Sequence, residues 1–169
     1  MERIIDVHMH VGHRFEWTPR ARAVWMDAGP YVPRLYDGED RQLSERYGDV
    51  IKEEAWAGIL IPEYSPETAG LMPFERAKEI ARFHPELVPI ANLNPNFHGD
   101  PMAAFDEQLA KGARALKIHP IHGFFFANDP RLHPGVRALR VGRSHCHVPR
   151  GHEHVPGMQD ALCGSLYLR

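Results

Sequence analysis

The feature that most constrains the fold is a regular alternation of short apolar runs with amphipathic segments. Runs rich in β-branched and apolar residues predict buried strands, including a buried first strand. The strand candidates are residues 3–8, 55–61, 87–93 and 113–119. Between them, apolar side chains recur at helical intervals. The helix candidates are residues 43–54, 73–83 and 101–112. The predicted order is therefore β, α, β, α, β, α, β.

This order predicts an α/β fold in which helices cover a parallel sheet. A doubly wound sheet usually carries a Gly-rich phosphate-binding turn after its first strand, but here the segment is His8-Met9-His10-Val11-Gly12. The sequence therefore favours a (β/α)8 barrel of the TIM type. Because eight βα units take about 250 residues, we expect only the first four units, within residues 1–134.

Composition narrows the class of partner. The net charge of −2 provides no excess of Lys and Arg for a phosphate backbone or an anionic lipid surface. No run approaches the roughly 20 apolar residues of a membrane helix, and the start has no signal-peptide pattern. We expect a cytoplasmic protein that binds a small-molecule substrate, with no nucleic-acid or membrane partner and with a homo-oligomer left open.

His8 and His10 stand two positions apart at the end of the first predicted strand, so their side chains project from one face. Two imidazole nitrogens at about 2.0 to 2.1 Å suit Zn²⁺ and other first-row metals. Chance competes with this interpretation, because the chain has 12 histidines and repeats the spacing at residues 145–147 and 152–154. Only the first pair ends an apolar strand, which predicts a divalent metal site, with zinc as the first candidate.

Lys117 and His119 share a face at the exit of the fourth predicted strand, where barrel active sites lie. The lysine could be carbamylated to bridge two metals, could hold a substrate carboxylate, or could extend to solvent. His119 is either a direct participant or a structural histidine. The polar residues at the other strand exits are expected to fix loops; they are Glu63, Asn92 and Asn94. The other histidines of the body are expected in loops or at the surface.

The quoted residues also carry a family likeness. Ile5-Asp6-Val7-His8-Met9-His10 resembles the first-strand signature of the amidohydrolase superfamily. Four later segments resemble a bacterial branch of the amidohydrolase-2 group, which includes hydrolases and decarboxylases similar to aminocarboxymuconate semialdehyde decarboxylase. They are PEYSPET (62–68), NLNPN (92–96), GARALKIHP (112–120) and NDPRL (128–132).

This resemblance implies that His8 and His10 hold a divalent metal, with further ligands from a histidine on the fifth strand and an aspartate on the eighth. Those later ligands are absent from this sequence. The implied activity is hydrolysis or non-oxidative decarboxylation of a small carboxylate or amide substrate. The alternative is a truncated, catalytically inactive half-barrel product.

Residues 135–169 differ in composition from the body, with five Arg, no Lys, four His and both cysteines of the chain. No strand or helix is predicted there. Back-translated and read one nucleotide later, residues 145–157 allow the peptide TVMFHVGTSMFPG, which resembles the family's fifth strand and contains the missing histidine. We therefore hypothesise a frameshift near Pro134, so that the tail is out of frame and its histidines are not ligands.

Overall fold

The structure is a computed structural model, and it describes residues 4–26, 32–135 and 137. The hypothesis of an out-of-frame tail concerns residues that lie almost wholly outside these. In chain order the elements are β1 (Ile5–His10), a 3-10 turn (Arg14–Glu16), α1 (Pro19–Ala21), a π-helical turn (Arg22–Met26), α2 (Val32–Leu35), α3 (Ser44–Ile51), β2 (Ala57–Ile61), β3 (Glu63–Ser65), β4 (Gly70–Met72), α4 (Phe74–Phe83), β5 (Leu87–Pro89), β6 (Ala91–Leu93), α5 (Pro101–Ala110), β7 (Leu116–Ile118), α6 (Pro120–Gly123) and a second 3-10 turn (Pro130–Leu132).

Outside the antiparallel pair β3–β4, the strands pair in parallel and in chain order. β1 pairs with β2, β2 with β5, and β6 with β7. β5 and β6 are successive parts of the third predicted strand, separated by Ile90, whose N–H donates to the carbonyl of Leu60 (3.1 Å). The predicted α/β class with parallel pairing is confirmed, and the described residues form no closed barrel.

Helix α5 shows how local sequence sets an element. Asp100 caps it, since its carboxylate accepts hydrogen bonds from the N–H groups of Met102 and Ala103. Pro101 follows at the first helical position, where its missing N–H costs nothing. Farther along, Gln108 is buried and its side-chain amide exchanges two hydrogen bonds with the backbone N–H and C=O of Asn92. The helix is thereby fixed against β6.

Strand β2 lies at the centre of the fold, and all five of its residues are buried. Leu60 packs with Leu87 of β5 and with Ala77 and Ile80 of α4 in one apolar cluster. A second cluster, around Phe74 and Phe105, joins α4 and α5 to β6. Helices therefore cover the sheet around β2, as expected for strands with two apolar faces.

The prediction of a buried first strand is wrong. Only Met9 of β1 is buried, while Ile4, just before the strand, and Val7 are 56% and 57% exposed. The physical reason is position: among the described residues β1 pairs with β2 alone, so one edge and part of one face remain open. Apolar residues indicate that a strand can be buried, but they do not show whether another element packs against it.

The antiparallel hairpin of β3 and β4 was not predicted. The second strand candidate ends at residue 61, yet Glu63–Ser65 continues after Pro62 as a three-residue strand that pairs with Gly70–Met72. Gly70 has φ +148°, and a Cβ atom there would stand 2.4 Å from the carbonyl oxygen of Glu16. This close approach brings the first loop onto the hairpin. Within the described part of the chain, no helix has the length and apolar character needed to cross a membrane.

Candidate active site

The polar residues at the carboxyl ends of the parallel strands form one group. His8 and His10 come from β1, Glu63 begins the hairpin just after β2, and Lys117 and His119 come from the end of β7. In parallel α/β folds these ends meet at one side of the sheet, where substrates bind. The rings of His10 and His119 have their centroids 6.5 Å apart and their planes at 21°, so the carboxyl ends of β1 and β7 lie close together.

The two histidines of β1 are in direct contact. Their Nε2 atoms lie 3.0 Å apart. Burial lowers the pKa of His10 to about 4. Burial and the positive charge of Lys117 lower the pKa of His8 as well, although the nearby carboxylate of Asp6 opposes them. Both imidazoles are therefore neutral at pH 7, the protonation state that metal ligation requires.

The pair fits half of a tetrahedral metal site. Two nitrogens bound to one Zn²⁺ at tetrahedral angles lie roughly 3.3 Å apart, close to the 3.0 Å between the two Nε2 atoms. A hydrogen bond between two neutral imidazoles has the same length and is the competing interpretation. Across residues 4–26 and 32–135, no group of three or more His, Cys, Asp and Glu residues is arranged to hold a metal.

Glu63 and His119 form the second feature of the site. The Glu63 carboxylate is 1% exposed, and its Oε2 lies 2.8 Å from Nδ1 of His119. Its Oε1 accepts hydrogen bonds from the Ser65 hydroxyl and the Tyr64 N–H. Burial raises the pKa of Glu63, but the hydrogen bonds from His119 and Ser65 more than offset this and hold the pKa below its ordinary value. Glu63 is therefore an ionised, buried carboxylate.

Lys117 lies half-buried on β7 between these features. Burial lowers its pKa, and the carboxylate of Glu63 opposes that effect without cancelling it. No described residue forms a hydrogen bond or ion pair with its ammonium group. A half-buried ammonium of this kind gains free energy by binding an anion, so its surroundings suit a substrate carboxylate.

Two aromatic rings border the site. The Trp17 ring stands edge-on to His10, with centroids 5.7 Å apart, and the His122 ring is 4.1 Å from that of His119. Beyond His122 lies a cleft of about 250 Å³, lined among others by Phe97, His122 and Phe124. This is close to the lower limit of the roughly 300 to 1,000 Å³ of small-molecule sites. The candidate residues on β1, β3 and β7 do not line this cleft, which adjoins them through His122 and Ser65.

Two of the three polar residues that were expected to fix loops do only that, and the third has a further contact. Asn92 and Asn94 do fix loops, because their amides donate to the carbonyl groups of Pro62 and Tyr64, both at 2.7 Å. Glu63 fixes the start of the hairpin and also contacts His119, so sequence reasoning missed part of its role. The available signal was its position: a carboxylate that follows a wholly apolar strand after a single proline has little water to solvate it.

One other histidine departs from its predicted surroundings. His84 was expected in a loop or at the surface, but it is buried between α3 and α4, with Nε2 at 2.7 Å from the carbonyl oxygen of Glu45. Gly48 permits this, because a Cβ there would overlap the His84 ring. His84 is therefore a structural residue.

Comparison with known proteins does not place the chain in a family. No family model, no curated protein and no solved structure matches it.

Proposed function

We propose that this chain carries the metal-binding first strand of an amidohydrolase-type enzyme. Its reaction is the hydrolysis or non-oxidative decarboxylation of a small carboxylate or amide. The observation that carries the proposal is the 3.0 Å separation of the two Nε2 atoms of His8 and His10, both neutral at pH 7, at the carboxyl end of a parallel strand. The likeness of residues 5–10 to the superfamily signature supports the same assignment.

The proposed fold is the N-terminal half of a TIM-type barrel. Its support is the strand order, since each parallel strand pairs with the parallel strand that follows it once the β3–β4 hairpin is set aside: β1 with β2, β2 with β5, and β6 with β7. A doubly wound sheet instead places its first strand inside the sheet, with neighbours on both sides. Here β1 is an outer strand among the described residues.

His8 and His10 would hold a divalent ion, which when bound would supply positive charge to stabilise negative charge developing on a substrate oxygen. Lys117 binds the substrate carboxylate through its half-buried ammonium group. His119 accepts or donates a proton at its ring, and Glu63 holds that ring in place through Nδ1. Burial of Glu63 excludes water from one side of this arrangement.

Metal titration of the full chain tests this proposal. After treatment with a chelator, the wild-type protein is titrated with Zn²⁺ in a calorimeter, and the bound metal is then quantified by mass spectrometry. We expect one tightly bound ion, which the double variant His8→Ala, His10→Ala loses. The double variant His152→Ala, His154→Ala has the same residue types and spacing and is expected to retain it. Equal uptake by the first variant, or loss in the second, contradicts the proposal.

The second candidate is a catalytically inactive half-barrel product. Two observations favour it: no third ligand stands beside the histidine pair among the described residues, and Val7 leaves apolar surface on the outer strand. Light scattering during gel filtration separates the candidates. A monomer with one bound ion favours the enzyme, and metal-free aggregates favour the inactive product. Resequencing the coding DNA from codon 125 onward tests whether a one-base shift restores family-like sequence.

A further inference from the structure

We propose that Glu63 is a positioning residue that holds the proton of neutral His119 on Nδ1, so that Nε2 is the nitrogen presented to the substrate. The contact that carries this is the 2.8 Å separation between His119 Nδ1 and Glu63 Oε2. The catalytic meaning of this tautomer rests on the proposed function. The tautomer itself is a property of the folded chain and can be measured without any activity.

The surroundings of Glu63 allow it only one role toward His119. Its carboxylate is almost completely buried, and its Oε1 already accepts hydrogen bonds from the Ser65 hydroxyl (2.7 Å) and the Tyr64 N–H (3.1 Å). An ionised carboxylate has no proton to donate. The atom that faces Oε2 must therefore be a donor, which requires a proton on Nδ1 of His119.

The opposite nitrogen of the ring is available. His119 Nε2 forms no hydrogen bond with any described residue, and its side chain is 25% exposed. The neighbouring rings of His10 and His122 limit how far it can turn. With Nδ1 protonated, Nε2 carries a lone pair and can accept a proton from a bound water or a substrate hydroxyl.

The proton transfer balances without any other reagent. The O–H bond of the water or hydroxyl breaks, its electron pair stays on oxygen, and the proton forms an N–H bond at Nε2 of His119. The ring becomes imidazolium and keeps its proton on Nδ1. Glu63 stays ionised and stabilises the positive ring, as a buried carboxylate does for the histidine of a Ser-His-Asp triad.

A glutamine at position 63 provides a sharp test, because it keeps the size of the side chain and reverses one contact. The amide oxygen can still accept from Ser65 and Tyr64, which leaves the NH₂ group facing His119. An NH₂ group is a donor, so it favours the tautomer with a bare Nδ1 and the proton on Nε2. The substitution Glu63→Gln should therefore reverse the tautomer of His119.

Long-range ¹H–¹⁵N spectra of the metal-free full chain report which ring nitrogen carries the proton. The His119 signals are assigned by their loss in His119→Gln. In the neutral ring of the wild type we expect a protonated Nδ1 and a bare Nε2. In Glu63→Gln we expect the reverse, and in the control Glu67→Gln, at an exposed carboxylate of the same turn, no change. A wild-type proton on Nε2, or an unchanged tautomer in Glu63→Gln, overturns the proposal.

This result is independent of the proposed function, because loss of metal binding or turnover leaves the tautomer readable. Where turnover is found, Glu63→Gln should lower kcat by roughly the 10⁴-fold seen when the triad aspartate becomes asparagine, with little change in KM. Glu63→Asp, which restores an anionic acceptor, should recover part of that loss. A purely structural role predicts a lower melting temperature with an unchanged tautomer. The wild-type spectrum decides the tautomer even where a variant folds poorly.

Discussion

The two neighbouring strands β1 and β2 differ in how far their residues are buried. Every residue of β2 is buried, whereas Met9 is the single buried residue of β1. The difference follows from pairing, because β2 has a strand on each side and β1 has one among the described residues. The candidate metal ligands lie on the open strand. Stability and chemistry therefore depend on different strands, and substitutions can separate them.

The largest effect on folding is expected at the centre of β2. Leu60→Ala removes a fully buried side chain from the cluster with Leu87 and Ile80, which typically costs 2 to 5 kcal/mol. Val7→Ala on β1 removes apolar atoms from an exposed position, and we expect a change within about 0.5 kcal/mol. Urea unfolding of both variants measures the difference. Similar losses would show that the two strands are equally buried in solution.

The site is expected to show the opposite pattern. His8→Ala removes one of two proposed ligands, so zinc affinity should fall by more than the roughly 10- to 100-fold caused by changes around a metal site. Because His8 is exposed, its unfolding free energy in the metal-free state should change little. Calorimetric titration and urea unfolding of the same preparation provide both values. A large loss of stability with unchanged zinc affinity contradicts the ligand assignment.

Low pH should lower the unfolding free energy through His10, the buried member of the histidine pair. Burial lowers the pKa of His10 to about 4, below the 6.5 expected in the unfolded chain, so protons bind preferentially to the unfolded state. The contribution of His10 to stability is complete above pH 6.5 and falls as the pH drops toward 4, by on the order of 2 kcal/mol at pH 4.5. Urea titrations of the metal-free wild type and His10→Gln at several pH values measure it. Parallel pH profiles for the two proteins would contradict this assignment.

The smallest expected effect concerns the open edge itself. Val7→Lys places a charge on the outer strand, a substitution that discourages pairing between sheet edges. We expect less self-association in sedimentation velocity and an unchanged unfolding free energy, within about 0.5 kcal/mol. Val50→Lys, at a buried position of α3, is the contrasting variant and should unfold the protein. Greater self-association of Val7→Lys would mean that this edge is covered in solution.

The sequence predicted where the helices and strands lie better than it predicted their burial and their contacts. The helical spacing of apolar residues located α3, α4 and α5, because this signal is local. The openness of β1 depends on which strands stand beside it, and periodicity carries no such information. The contact of Glu63 with His119 joins positions 56 residues apart and the burial of His84 depends on the carbonyl of Glu45, so neither follows from a local pattern.

The break at Ile90 changes how the segment that carries Glu63 is held. Up to Leu60 and Pro89 the backbones of β2 and β5 pair, but beyond Ile90 the side-chain amides of Asn92 and Asn94 reach back instead, to the carbonyls of Pro62 and Tyr64. Gln108 meanwhile occupies the N–H and C=O groups of Asn92, as a neighbouring strand would. Glu63 lies between Pro62 and Tyr64, so side-chain hydrogen bonds and not a continuous backbone ladder hold it where it meets His119.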